Sequence, residues 1–505
     1  MIAKQGGNRV GKRAPGAAKG ETSIKRAALI NMASRYGAAL VQLAYSVVLA
    51  RMLTPEDFGV VAIAQVFVTF FALFQDMGLG SAIIQRQDLE ERDVSRIFGF
   101  SAVLAGVLAA LFALLGPLVA SVYGDPRLVG ICGALSVTVL LSTLNTVPNA
   151  LLMKSRRFVA VGKRQVLCAL VASAAGMLSA ALGAGPYAIV VYSVTNALFN
   201  LVWNWSTNRV RPLFLGMVAS VRKVFGYSAW LFGFNLITYF SRNTDNLLIG
   251  YFFGPFDLGN YGKAYQLMQY PQTHLTSVVA SVLHPMLAER QDDVGYIYDV
   301  YVRLSKALSL IGVFVSAFCF FAADEIVFVL YGEQWGASAV CLRYLSVSIW
   351  SQMVCGASGP IFQVLGRTRE QFLRGLLISV ATIGATLAGV YLGGIESVAL
   401  LVGLAYFVPF VLLVPFLIRA SFGREARGFL RVFAPDLAIA LALCAVLACM
   451  GWAESFGPVP SLAIKLLAGA AAYVILLVGS RQVRWIAALL PTRVRSRMPA
   501  WLLGR

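Results

Sequence analysis

The chain is 505 residues long, 59% hydrophobic and only 13% charged, with a mean hydropathy of +0.75 and a net charge of +19. Those proportions exclude an ordinary soluble domain, and apolar runs of about 20 residues recurring from end to end give an all-α polytopic membrane protein. An outer-membrane barrel is excluded too, because its strands would read as short alternating segments.

In chain order, residues 1–26 read as a basic, disordered tail, since the apolar run that follows is too long for a signal-peptide core and ends in a poor cleavage site. Fourteen spans are predicted: 29–50, 58–80, 97–120, 128–152, 165–184, 187–206, 225–252, 258–284, 304–330, 337–364, 372–392, 395–418, 434–452 and 461–480. With the N-terminus in the cytoplasm, and residues at span ends counted with the loops, 35 of the 42 Lys and Arg fall on the cytoplasmic side, against Arg51 and Arg127 outside. This is the positive-inside pattern. The charge therefore records orientation and attraction to anionic lipid, and nucleic acid is rejected as a partner. The seven Cys lie in apolar runs without a C-x-x-C pair, and the two His cannot build a His-rich metal site, so no metal or cofactor is expected.

LTPEDFG at 53–59 and FGPFDLG at 253–259 are the outer turns between spans 1 and 2 and between spans 7 and 8. VYG at 122–124 and LYG at 330–332 repeat the echo, and KSRRF at 154–158 with RTREQF at 367–372 is a weaker third. Similar phrases at a near-constant offset indicate two copies of a six-helix unit. The expected architecture is an N-lobe at 27–207 and a C-lobe at 224–420 around a central cavity. A cytoplasmic linker at 208–223 joins them, two appended helices occupy 421–480, and a basic cytoplasmic tail runs over 481–505. An even number of spans per copy makes the repeats parallel, as in alternating-access transporters.

LARMLTPEDFGVVAIA, FQDMGLGSAIIQ, SRNTDNLLIGYFFGPFDLGNYGKAY and SVLHPMLAE together resemble the multidrug/oligosaccharidyl-lipid/polysaccharide exporter superfamily, in its polysaccharide-transporter branch of Wzx-type flippases. The resemblance covers nearly the whole chain. It implies a non-enzymatic flippase of undecaprenyl-pyrophosphate-linked oligosaccharide in the bacterial inner membrane. It also implies as partners an initiating sugar-phosphate transferase, a polysaccharide polymerase and an export complex.

Ionisable groups inside a membrane are costly and are the candidates for function. Arg35, in the inner third of span 1, either binds pyrophosphate or snorkels. Arg242 and Asp245 share a face of span 7 with Asn243 and Asn246. Here Arg242 meets diphosphate or sugar, while Asp245 either holds Arg242 or carries a coupling proton or sodium ion; the alternative is an ion pair that only fixes packing. Lys263, near the outer end of span 8, is a headgroup candidate or an interfacial lysine. His274, one turn beyond Pro271, is a titrating or a packing residue. Asp76, Asp324 and Glu325 are candidates for coupling or gating, or are interfacial.

The rivals are a lipid II flippase or a drug/cation antiporter of the same superfamily. A membrane enzyme of polysaccharide assembly is a third, disfavoured because the outer loops are too short for a catalytic domain. No P-loop occurs.

Overall fold

The computed structural model describes residues 15–76, 79–86, 89–155, 158–218, 220–221, 228–288, 293–483 and 485, and no strand occurs among them. The first half consists of α1 (Pro15–Met52), α2 (Pro55–Asp76), the short α3 (Leu79–Gln85), α4 (Glu91–Tyr123), α5 (Arg127–Lys154), α6 (Phe158–Ala181) and α7 (Tyr187–Thr207). The second half opens with α8 (Ser228–Phe252), α9 (Pro255–Ala288), α10 (Val294–Phe321) and α11 (Ala323–Tyr331). It continues with α12 (Gly336–Ser346), α13 (Ile349–Gly356), α14 (Ser358–Val364), α15 (Thr368–Leu392), α16 (Ile395–Ala405) and α17 (Val414–Phe422). The chain closes with α18 (Ala426–Arg431), α19 (Ala434–Ala448) and α20 (Pro458–Gly479).

Among the described residues, nine helical stretches are long and apolar enough to cross a membrane. Away from its ends a helix satisfies its backbone donors and acceptors internally, which hydrocarbon demands. The helices outside that set include α8 and α9, which carry Arg242, Asp245, Lys263 and His274.

The structure departs from the sequence reading in two ways. Helix α1 begins at Pro15, so the second half of the expected tail is helical. Pro at the first helical position and the Ala, Lys and Glu of PGAAKGETSIKRAAL favour that continuation. Several spans are also jointed. Span 10 divides into α12, α13 and α14, where Ser348 Oγ donates to Leu345 O (2.6 Å) and Ser358 Oγ donates to Cys355 O (2.6 Å). Such serine back-bonding bends helices. Span 12 passes through a π turn at Pro409–Leu413, because proline cannot donate to the preceding turn.

The order of packing recurs. In the first half α1 packs on α6, α2 and α4 on α5, and both α5 and α6 on α7. In the second half α8 packs on α15, α9 on α12, α10 on α13, and both α12 and α15 on α16. One hydrophobic core joins the halves, with Val60, Ile63 and Ala64 of α2 beside Ile249, Leu258 and Tyr261.

Candidate functional site

The repeated turns meet each other. Pro55 and Pro255 each open a helix, where the missing N–H costs nothing. In the first copy Asp57 Oδ2 accepts from Thr54 N (3.1 Å) and Oγ1 (2.9 Å), and Thr54 Oγ1 accepts from Asp57 N (3.2 Å), a reciprocal cap. The second copy has Gly254 at that place, with a left-handed φ of 86°. Four residues into each helix stand Gly59 and Gly259. A Cβ on Gly59 would overlap the carbonyl of Pro255, and a Cβ on Gly259 would overlap the carbonyl of Pro55. Each copy therefore supplies the glycine that admits the other's backbone.

The same reciprocity continues beside this crossing. Arg51 of α1 donates to Val329 O (2.5 Å) and Leu330 O (3.3 Å), which are end carbonyls of α11. In return, Gln334 Nε2 donates to Ala50 O (2.8 Å) and Leu53 O (3.0 Å), and Trp335 Nε1 donates to Ala50 O (2.8 Å), at the end of α1. These contacts satisfy carbonyls that a helix end leaves open. Arg127 adds a 2.5 Å bond to Glu56 and a fork onto Asp125.

Lys263 lies under this seam, buried. Its Nζ donates to Ser46 Oγ at 2.8 Å and sits 4.0, 5.1 and 5.9 Å from the ring centres of Phe58, Tyr331 and Trp335. Ser46 and Phe58 come from the first half and the other two rings from the second. A cation desolvated over aromatic faces is held by their quadrupoles, and no described carboxylate pairs with it.

Arg242 and Asp245 do not pair. Arg242 is exposed, whereas Asp245 is buried; its Oδ1 accepts from Asn246 N (2.8 Å) and its Oδ2 from Tyr261 OH (3.3 Å). A cavity of about 10 Å³ lies at Asp245, lined by Thr244, Tyr265, Thr382, Thr386 and Tyr406 among others, with Tyr265 OH and Tyr406 OH 2.6 Å apart. That volume admits one water or one small ion. Asn243 Nδ2 bonds its own helix at Tyr239 O (2.8 Å), and Asn246 is half-buried.

Towards the basic end, Arg35 is exposed and makes no described ion pair, and its neighbour Tyr36 donates to His274 O (3.1 Å) across the halves. Of the three candidate cations, Arg35 and Arg242 are exposed, and Lys263 is buried between residues of both halves. The expected linker is pinned to α4. Leu213 N donates to Ser95 O (2.9 Å), Arg96 Nε donates to Leu215 O (3.1 Å), and Ser220 Oγ donates to Asp93 Oδ1 (2.7 Å).

The remaining acids lie elsewhere. Asp324 pairs with Arg343 at the surface, and Glu325 is buried against Lys465 and Ser461 of α20. Asp76 ends α2, and its side chain lies outside the described part.

Two cations counted with the loops prove to be buried. Lys306 meets Asp436 (2.5 Å) and Val432 O (2.6 Å), tying α19 to α10. Arg164 Nη1 donates to Asn149 and Asn204 side-chain oxygens, both at 2.7 Å. Sequence reasoning missed both, together with Lys465. The available signal was a lone Lys in the apolar run SLAIKLLAGA, which needs a buried partner. A 570 Å³ apolar cavity lined by Trp350, Phe407, Phe410 and Phe433 lies beside α19.

Comparison with known proteins places this arrangement. Over 414 residues the chain is 24% identical to the teichuronic acid biosynthesis protein TuaB of Bacillus subtilis, covering 77% of this chain and 85% of that one. It is 25% identical over 431 residues to the succinoglycan biosynthesis transport protein ExoT of Rhizobium meliloti, covering 84% and 85%. Against the lipopolysaccharide biosynthesis protein WzxC of Escherichia coli it is 24% identical over 360 residues, covering 70% and 73%. The lipid II flippase MurJ in an inward closed conformation shares the fold, with a TM-score of 0.70 at 12% identity over 90% of this chain and 99% of that one. An inward-facing multidrug transporter of the MOP superfamily gives 0.55 at 17% identity, over 74% and 93%. The polysaccharide biosynthesis protein family matches residues 48–340, more than half of the chain, and this multi-pass membrane protein belongs to that family.

Proposed function

We propose that the protein flips an undecaprenyl-pyrophosphate-linked oligosaccharide from the cytoplasmic to the outer leaflet of the bacterial inner membrane. It works by alternating access of two six-helix halves within fourteen spans, and both termini are cytoplasmic. The observation that supports this reading is that the candidate cations have no described carboxylate partner: Arg35 and Arg242 are exposed, and Lys263 is buried among Ser46, Phe58, Tyr331 and Trp335. A cation inside a membrane costs roughly 2.5–3.5 kcal/mol, and an anionic cargo offsets that cost. A drug-cation pathway would want the opposite sign.

In this reading Arg35 and Arg242 capture the diphosphate from the basic side. The closed outer seam keeps Lys263 inside its aromatic cage, and parting of the halves removes Phe58 and Ser46 from it, freeing its charge for the emerging headgroup. Asp245, with its tyrosines and threonines, holds a coupling proton or sodium ion. His274 marks the inner contact between the halves. The 570 Å³ apolar cavity supports a place for the polyprenyl chain. The matching order of packing in the two halves supports the internal repeat. Polymerase and export complex take the product.

The test is flipping in proteoliposomes. A fluorescent polyprenyl-pyrophosphate oligosaccharide is followed by its access to an outside quencher. Losing a hydrogen bond to a charged group costs about 1.5–3 kcal/mol, so Arg242→Ala and Arg35→Ala are expected to slow transport roughly 10- to 150-fold while the melting temperature holds. Wild-type rates in both variants remove the cationic-path proposal. Cation efflux without lipid flipping moves the protein to the antiporter reading, and flipping of lipid II alone moves it to that substrate.

A further inference from the structure

A cationic pocket lies at the joint between α17 and α18, away from the seam. It encloses about 520 Å³ and is lined by Pro415, Phe416, Arg419, Arg424, Glu425 and Arg427, among others. The three arginines are exposed, and none forms an ion pair with a described residue, even with Glu425 among them. Like charges gathered this way repel unless an anion arrives.

The pocket is built on a fixed base. Gly423, at φ 61°, reverses the chain, and its N–H donates to Arg419 O (3.2 Å). Phe422 and Phe429, before and after the reversal, both stack on Tyr301, with ring centres 6.3 and 5.3 Å from it. Tyr298 packs on Phe422 at 5.2 Å, and its ring carries the Arg424 guanidinium at 4.3 Å. Two aromatic residues of α10 therefore set the loop and one of its three charges before any ligand arrives.

The surroundings select the ligand. The pocket continues into an exposed apolar strip of α17 and the turn before it: Val411, Leu412 and Phe416, which are 60%, 57% and 50% exposed. Side chains of this kind in a membrane protein face acyl chains. A guanidinium fork matches phosphate oxygens two at a time. Phosphate above and acyl chain beside describe one molecule. We infer that this pocket binds the phosphate of an anionic glycerophospholipid in the leaflet at the basic end, with its acyl chains along Val411, Leu412 and Phe416.

The experiment uses the purified full chain. Native mass spectrometry follows retention of phosphatidylglycerol against phosphatidylcholine of equal chain length. At about 1 kcal/mol per basic residue near a lipid surface, the preference of the wild type is expected to fall on the order of a hundredfold in R419Q/R424Q/R427Q. Glu425→Gln, which removes the one opposing charge, is expected to raise it roughly fivefold. This second variant carries the test if the triple variant fails to fold. Equal retention of both lipids by the wild type overturns the inference, as does an unchanged preference in both variants. Displacement of phosphatidylglycerol by an equal concentration of inorganic phosphate reassigns the pocket to a soluble anion and also overturns it.

Discussion

Several side chains carry a charge whose purpose only their neighbours disclose. Arg51 and Arg127, the exceptions to the positive-inside count, are the residues that staple the turns beside the Pro55–Pro255 crossing. Asp125 shows how such a staple responds to acid. The hydrogen bonds from Arg127 hold its carboxyl below the usual carboxylate range. A depressed folded-state value means that the link contributes stability above the unfolded value of about 3.9 and loses it as the pH falls through the lower folded value. Thermal unfolding measured from pH 7 downwards should therefore show this contribution intact to about pH 4 and lost below it. Arg127→Gln should remove that acid step together with about 0.2–1 kcal/mol, the range for a partly exposed pair. An acid step unchanged in Arg127→Gln would assign it to other carboxylates.

Between elements, buried ion pairs fix where the last helices attach. Lys306–Asp436 ties α19 to α10, and Lys465–Glu325, reinforced by Ser461 at 2.7 Å, ties α20 to α11. Glu325 therefore serves helix docking. Removing one partner of a buried pair strands the other charge and costs about 3–5 kcal/mol, whereas replacing both with apolar residues is close to neutral. Lys465→Met should lower the melting temperature in detergent sharply, and Lys465→Met with Glu325→Leu should restore most of it. No recovery in the double variant would show that the charges are needed for more than each other. These pairs were not legible in the sequence, because a lysine in span 14 and a glutamate in span 9 carry no mark of being neighbours. The polar run YFSRNTDNLL was legible, since polarity inside a span is visible wherever it points. Its two charges nevertheless part company: one turn of α8 exposes Arg242 and buries Asp245 against Tyr261.

For the molecule as a whole, the reciprocal glycines let the two halves close on each other where Pro55 and Pro255 cross. Because each copy admits the other's backbone, a side chain at either position should hold the halves apart. Gly59→Leu is expected to lengthen the distance between spin labels at Thr54 and Glu333, on a cysteine-free background, by several Å, and to slow flipping. An unchanged distance would mean that the crossing yields locally and does not control closure.

The sequence by itself determined the class of the protein, the membrane, the basic side and the doubled phrase, because hydropathy, charge and spacing are written residue by residue and need no partner to be read. It also pointed to Lys263, Arg242 and Asp245, since an ionisable group in an apolar span stands out alone. Only the tertiary structure decided that Pro55 rests on Gly259 and Pro255 on Gly59, that Lys263 is caged by rings from both halves, and that Lys306 and Lys465 have carboxylate partners. Those facts are relations between residues far apart in the chain, and packing alone brings them within the few ångströms over which such forces act.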